Sequence, residues 1–306
     1  MRFAAMTEMS ALGVQSKYLQ ETVGAIDAHA HIFEQGLPLS HDRRYVPAYD
    51  ATLRDYLQIL DANDISCGVL VQPSFLGTDN SYLLDGLRSA KGRLRGIAVV
   101  SPNISLTNLK ALGDAGVVGI RLNLLGHQIP PFDVEPWSQL LPMIATLGWQ
   151  VEIQRSARDI LLILPPLLKA GVSVVVDHFG LLESVDSAKS FGSWIQATGT
   201  KSRRLWVKLS APYRSGDGEE GEKIVRRAYP QLRDAIGIDR LIWGSDWPHT
   251  QFEATENYQK ARAFLDELIP DKIERRAILN ENAAALFGFD NSTSTSTSID
   301  SPQHFR

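Results

Sequence analysis

Apolar, β-branched residues recur in short runs along this chain, and between the runs the apolar positions fall into helical spacing. The runs at 24–31, 68–72, 95–100, 117–122, 149–154, 172–178, 205–210 and 240–245 predict strands. The stretches 50–63, 80–90, 137–147, 157–170, 219–236 and 253–268 predict amphipathic helices between them. Strands alternating with helices imply right-handed crossovers and a parallel sheet. Eight such units imply an α/β fold closed into a (β/α)8 TIM barrel. A nucleotide-binding open sheet would carry a Gly-x-Gly-x-x-Gly turn after the first strand, and Ile32-Phe33-Glu34-Gln35-Gly36-Leu37-Pro38 has none. Residues 21–289 are taken as this single barrel, with 1–20 as an arm lying on it. Residues 271–287 read as a last helix stopped by Gly288. The segment 290–306 reads as a disordered tail, because the run from Asn291 to Ser298 alternates serine and threonine and has nothing to bury.

Composition narrows the class further. Of 306 residues, 44% are hydrophobic and 22% charged, ordinary values for a globular chain. A formal net charge of −4 gives no polybasic signature, so neither nucleic acid nor an anionic membrane is an expected partner. The one cysteine, Cys67, excludes an internal disulfide and a cysteine-rich zinc site, and its apolar run Cys67-Gly68-Val69-Leu70-Val71 reads it as a small buried hydrophobe. No stretch approaches the roughly 18 apolar residues of a membrane span. The first twenty residues carry Arg2, Glu8 and Lys17 without a continuous apolar run, so no secretory signal is expected and a cytoplasmic location is. A single chain shows no interface, which leaves a homo-oligomer open.

The candidate chemistry lies where the strands end, because reactive groups of such barrels sit at the carboxyl ends of their strands. The first strand delivers His29 and His31, which alternate onto one face. That pair fits a metal site, a general-base site, or simply a polar barrel end. The second strand runs into Ser74, the fourth ends at Arg121, the fifth at Gln154, the sixth at Asp177-His178 and the seventh at Lys208-Leu209-Ser210, with Arg214 just beyond. The eighth delivers Asp246 in Trp243-Gly244-Ser245-Asp246-Trp247-Pro248-His249. Arg121 reads as an anion ligand in preference to a structural ion pair. Asp177 and His178 face opposite ways; His178 is expected in the pocket and Asp177 behind the sheet. Ser74 and Gln154 read equally as substrate ligands or hydrogen-bonding fillers. Glu152 shares a face with Gln154 and is expected deeper in the barrel. His127 follows the fourth strand within reach of a substrate, His249 joins the substrate-binding set, and His41 and His304 read as solvated.

The segments Gly24–Phe33, Gly77-Thr78-Asp79-Asn80, Arg95–Val100, Gly119–Asn123, Asp177-His178-Phe179-Gly180 and Trp243–His249 together resemble the amidohydrolase superfamily. Within it the likeness is to the 2-pyrone-4,6-dicarboxylate lactonase group, in order and spacing from about residue 22 to residue 288. The resemblance implies a distorted (β/α)8 barrel and hydrolysis of an activated ester or lactone. It carries over at His29, His31, Ser74, Arg121, His178, Arg214 and Asp246. It departs at Gly126-His127, where those lactonases present a further arginine, and at Gln154, where they carry a tyrosine. Losing an arginine weakens a carboxylate clamp, so the implied substrate carries at least one carboxylate, with the second in question. Those lactonases work without metal, and that version is favoured. The other version is one divalent cation, zinc, held by His29, His31, His178 and Asp246.

The expected reaction is therefore lactone opening. Asp246 takes a proton from the attacking water, and His29, His31 and His178, or a zinc they hold, stabilise the oxyanion. Arg121, Arg214 and Ser74 bind the substrate carboxylate. The alternatives are a decarboxylase or lactone isomerase on the same barrel, and, of another class, a non-catalytic barrel that binds anions.

Overall fold

The computed structural model describes residues 24–90, 92–197, 203–216 and 219–289. The expected arm 1–20 and tail 290–306 lie outside them. Eight strands form one sheet in sequence order, all parallel: β1 (Ala25–Ala30), β2 (Ile65–Val71), β3 (Leu94–Ala98), β4 (Val117–Asn123), β5 (Gln150–Gln154), β6 (Ser173–Val176), β7 (Leu205–Leu209) and β8 (Leu241–Trp243). Each is followed by a helix: α1 (Leu53–Ala62), α2 (Ser81–Ser89), α3 (Leu106–Asp114), α4 (Trp137–Thr146), α5 (Ala157–Lys169), α6 (Val185–Ala197), α7 (Glu219–Ile236) and α8 (Tyr258–Leu268). The barrel expected from the pattern is the observed fold.

The helices start where the local chemistry asks. Thr52 and Asp55 form a reciprocal capping box at the head of α1, and Ser105 and Asn257 accept from the third residue of α3 and α8. Two helices, α3 and α6, were not anticipated. Only Leu109 of α3 is buried, so that helix shows no continuous apolar face in the sequence.

The core has two layers. Ile26, Ala28, Val69, Val175, Trp206 and Ile242 pack inside the barrel, where Ala283 and Phe287 of the last helix (Asn282–Phe287) and Phe289 just beyond it join them. A larger cluster fills the space between strands and helices. The interior is apolar at one end only. Towards the carboxyl ends of the strands it turns polar, with Arg121, Glu152, Asp177 and Lys208 all fully or almost fully buried. No helix among the described residues is long and apolar enough to cross a membrane.

Candidate active site

The barrel closes through its own reactive segment. Beyond β8 the chain turns so that the Asp246 N–H donates to the His29 carbonyl at 2.8 Å and the His31 N–H to the Trp247 carbonyl at 2.8 Å. Gly244 makes this approach possible, since a Cβ there would lie 2.5 Å from the His29 Cβ and 2.7 Å from its backbone nitrogen. Asp27 ties the two strands from behind. It accepts from the Ser245 N–H at 2.8 Å, the Ser245 hydroxyl at 2.6 Å and the His29 N–H at 3.2 Å. Burial pushes its carboxyl up to about 6, against those hydrogen bonds. Asp246 itself has φ 63°, a left-handed conformation that turns its side chain back over the barrel mouth.

Three imidazoles surround that carboxylate. His29 Nε2 lies 3.7 Å from Asp246 Oδ1, His31 Nε2 3.8 Å and His178 Nε2 3.8 Å. The other oxygen, Oδ2, is held firmly by the Tyr213 hydroxyl at 2.6 Å and Arg214 Nε at 2.8 Å. Oδ1 is buried without a hydrogen-bond partner. Burial resists ionisation of Asp246, but the charge of Arg214 beside it outweighs burial and holds the carboxyl well below its usual range. Burial likewise keeps the histidines neutral. His31 is pushed down to about 4, with Arg121 adding to the effect, and His178 down to about 3.

Each ring is oriented by a second contact. His31 Nδ1 meets the Val71 carbonyl at 2.7 Å, and a carbonyl only accepts, so the His31 proton is on Nδ1 and its Nε2 keeps a lone pair. His178 Nδ1 meets the Ser210 hydroxyl at 2.8 Å. His29 Nδ1 meets the ammonium of Lys208 at 2.9 Å, and an ammonium only donates. The proton of neutral His29 is therefore on Nε2, facing His31 Nε2 at 3.3 Å.

This proton arrangement decides how the residues fit a metal. The Nε2 and Oδ1 separations of 3.3–3.8 Å resemble the spacing of ligands around tetrahedral zinc, about 3.3 Å for bonds near 2.0–2.1 Å. Among the described residues two groups of three converge closely enough, His29-His31-Asp246 and His29-Asp177-His178. Both require His29. Its Nε2 carries the proton, and its Nδ1, which faces Asp177 at 3.5 Å, is taken by Lys208. The spacing suits a cation; the protonation does not.

Outside the imidazoles lies a cavity of about 390 Å³. Of the residues expected to bind substrate, Ser74, Arg121, Gln154 and Arg214 line it, together with His31, His178 and Asp246. His29 sits beneath it, fully buried. Two expectations are corrected. His127 is exposed on the loop after β4 and does not line the cavity; its carbonyl accepts from Arg155 at 2.7 Å. His249 is buried behind Asp246, 3.2 Å from the Tyr213 hydroxyl, because the left-handed turn at Asp246 and His249 carries its ring away from the mouth. Asp177 is a third correction. It faces the barrel interior, 3.0 Å from Arg121 Nε and 3.1 Å from Lys208 Nζ. Arg121 therefore makes the structural ion pair and also reaches the cavity, where its Nη2 is buried without a partner.

The chain matches the amidohydrolase family over residues 26–289. It belongs to that family. It is 32% identical over 243 residues, covering 74% of this chain and 77% of the relative, to a 2-pyrone-4,6-dicarboxylate hydrolase of Comamonas testosteroni. A 4-sulfomuconolactone hydrolase of Hydrogenophaga intermedia is 27% identical, with 87% of this chain and 89% of that one covered. The crystal structure of an Acinetobacter baumannii protein, described as a probable 2-pyrone-4,6-dicarboxylic acid hydrolase with citric acid bound, superposes with a TM-score of 0.82 at 36% identity. It covers 87% of this chain and 99% of that one.

Three residues of this amidohydrolase were not singled out from its sequence. Tyr213 fixes Asp246, Lys208 fixes His29, and Arg44 lines the cavity from the long loop after β1. Arg44 makes no ion pair among the described residues, and Arg121 and Arg214 are near enough to push its guanidinium pKa down, after burial. A lysine inside the apolar run Leu205-Trp206-Val207-Lys208-Leu209, on the face of Trp206, was the available signal for Lys208.

Proposed function

We propose that this protein is a lactonase that opens a lactone bearing at least one carboxylate, by attack of water on the ring carbonyl. The carrying observation is Asp246, with one oxygen anchored and the other free among three imidazoles at the floor of an arginine-lined cavity. Asp246 Oδ1 accepts a proton from water as the water oxygen bonds to the carbonyl carbon, and the carbonyl π pair moves onto its oxygen. His29 donates its Nε2 proton in a hydrogen bond to that oxyanion, and His178 completes the polar cage. His31 accepts from His29 until the oxyanion forms. When the pair returns, the ring C–O bond breaks and Asp246 passes its proton to the departing ring oxygen. One water is consumed and one carboxylic acid is formed, which releases one proton to a neutral solution.

Arg121 and Arg214, with Ser74 and Arg44, bind the substrate's acid groups and fix its carbonyl beside the water. Gln154 lines the same cavity and offers the substrate an uncharged hydrogen-bonding partner. The relatives named for a dicarboxylate and a sulfonated lactone support an anionic ring as substrate. A cytoplasmic setting belongs to the same proposal, supported by a single buried cysteine.

A pH-stat assay over a panel of mono- and dicarboxylated lactones tests the reading, with Asp246→Asn as control. The expected result is acid release from at least one lactone, slowed at least ~10²-fold in the variant, the usual contribution of a general base. Acid release that Asp246→Asn leaves intact, or none from any lactone, overturns it.

A further inference from the structure

Lys208 is a charged side chain inside the barrel, with no exposed surface. Its ammonium touches three groups: Glu152 Oε1 at 2.8 Å, Asp177 Oδ1 at 3.1 Å and His29 Nδ1 at 2.9 Å. Two carboxylates neutralise an ammonium together with Arg121, so charge balance alone does not require an imidazole as third neighbour. The third neighbour is nevertheless a ring of the site.

We propose that Lys208 is a positioning residue that keeps the His29 proton on Nε2, which makes His29 a hydrogen-bond donor to the reacting oxygen and bars a divalent cation from the site. The alternative arrangement is already built in. Asp177 Oδ1 stands 3.5 Å from the same Nδ1. With the ammonium gone, that carboxylate becomes the nearest polar group and accepts an Nδ1 proton. The lone pair then moves to Nε2, beside the His31 lone pair and the free Asp246 oxygen. A carboxylate behind a histidine is the usual support of a metal-bound imidazole. One side chain on β7 thus selects between an imidazole cage and a cation site in an otherwise unchanged set of residues. The donor role of His29 rests on the proposed lactone hydrolysis; the position of its proton and the exclusion of a cation do not.

The test reads the tautomer and the metal separately from turnover. Long-range 15N–1H spectra of the imidazoles are recorded on the natural protein, on Lys208→Met, and on Lys208→Met with Glu152→Gln, which keeps the buried charge balanced if the single variant fails to fold. Each protein is also dialysed against zinc and then against buffer, and its metal content measured. The natural protein is expected to show His29 protonated on Nε2 and to retain no stoichiometric zinc. The folded variant is expected to show the proton on Nδ1 and to retain about one zinc per chain. A His29 proton on Nδ1 in the natural protein overturns the proposal. So does equal zinc retention with and without Lys208.

Discussion

At the scale of the residue, the histidines, arginines and aspartate at or just past the strand ends were legible, and the roles of Lys208 inside the barrel and Arg44 on a long loop were not. His29 and His31 share a face of β1, and they meet His178 and Asp246 because the turns just beyond β6 and β8 open onto the same mouth. Lys208 needed the cross-section of the barrel, since only closure sets β7 within reach of Glu152 on β5 and His29 on β1. Arg44 comes from a loop whose course no pattern fixes. Its position makes a kinetic prediction. It lines the cavity and makes no ion pair with a carboxylate among the described residues, so its contribution is to substrate binding. Arg44→Ala is expected to raise KM about tenfold, equivalent to ~1.4 kcal/mol of lost binding, with kcat within about twofold. Steady-state kinetics check this, and a selective fall in kcat would assign Arg44 a role in the chemical step.

At the scale of the element, the decisive feature is the seam between β1 and the turn after β8. The strand expected at 240–245 stops at Trp243, and the rest of that segment becomes the turn that carries Asp246. The sequence pattern could not show this, because Gly244 and Ser245 fit a strand end and a turn equally well. Asp27, the invisible half of the seam, looks in the sequence like one more polar residue beside the histidines, yet it binds Ser245 behind the sheet. The close contact at Gly244 predicts that Gly244→Ala forces His29 and Asp246 apart. The expected cost is about 1–3 kcal/mol of stability, typical of overpacking, with a loss of kcat larger than the loss of stability explains. Urea denaturation alongside turnover measures both. Unchanged stability would show that the seam has room the contact distances deny.

At the scale of the whole molecule, the barrel stores neutral histidines where solvent would charge them. His29 is held well below its usual pKa by burial and Lys208, while burial takes His31 and His249 to about 4 and His178 to about 3. The unfolded chain binds protons at these four rings near 6.5, and the folded chain does not. Folding stability therefore falls as pH drops from about 6.5 towards 4. Asp27, raised to about 6, and Glu152, raised to about 7, act the other way, because the folded state takes up their protons first. Four groups oppose two, so the melting temperature is expected to be lower at pH 5 than at pH 7. Calorimetry across that window checks the sign, and a rise on acidification would mean that the rings are charged in the folded protein. The barrel itself was readable from the alternation of strands and amphipathic helices. α3 escaped because only Leu109 of it is buried, which leaves no continuous apolar face to read in the sequence.

In the proposed reaction, water activated by Asp246 attacks the carbonyl carbon of a lactone. A single turnover in 18O-labelled water, followed by mass spectrometry of the product, tests it directly. One 18O atom is expected in the new carboxylate and none in the hydroxyl or enol released from the ring. Product of unchanged mass, as an isomerase would give, or label on the released hydroxyl would contradict it.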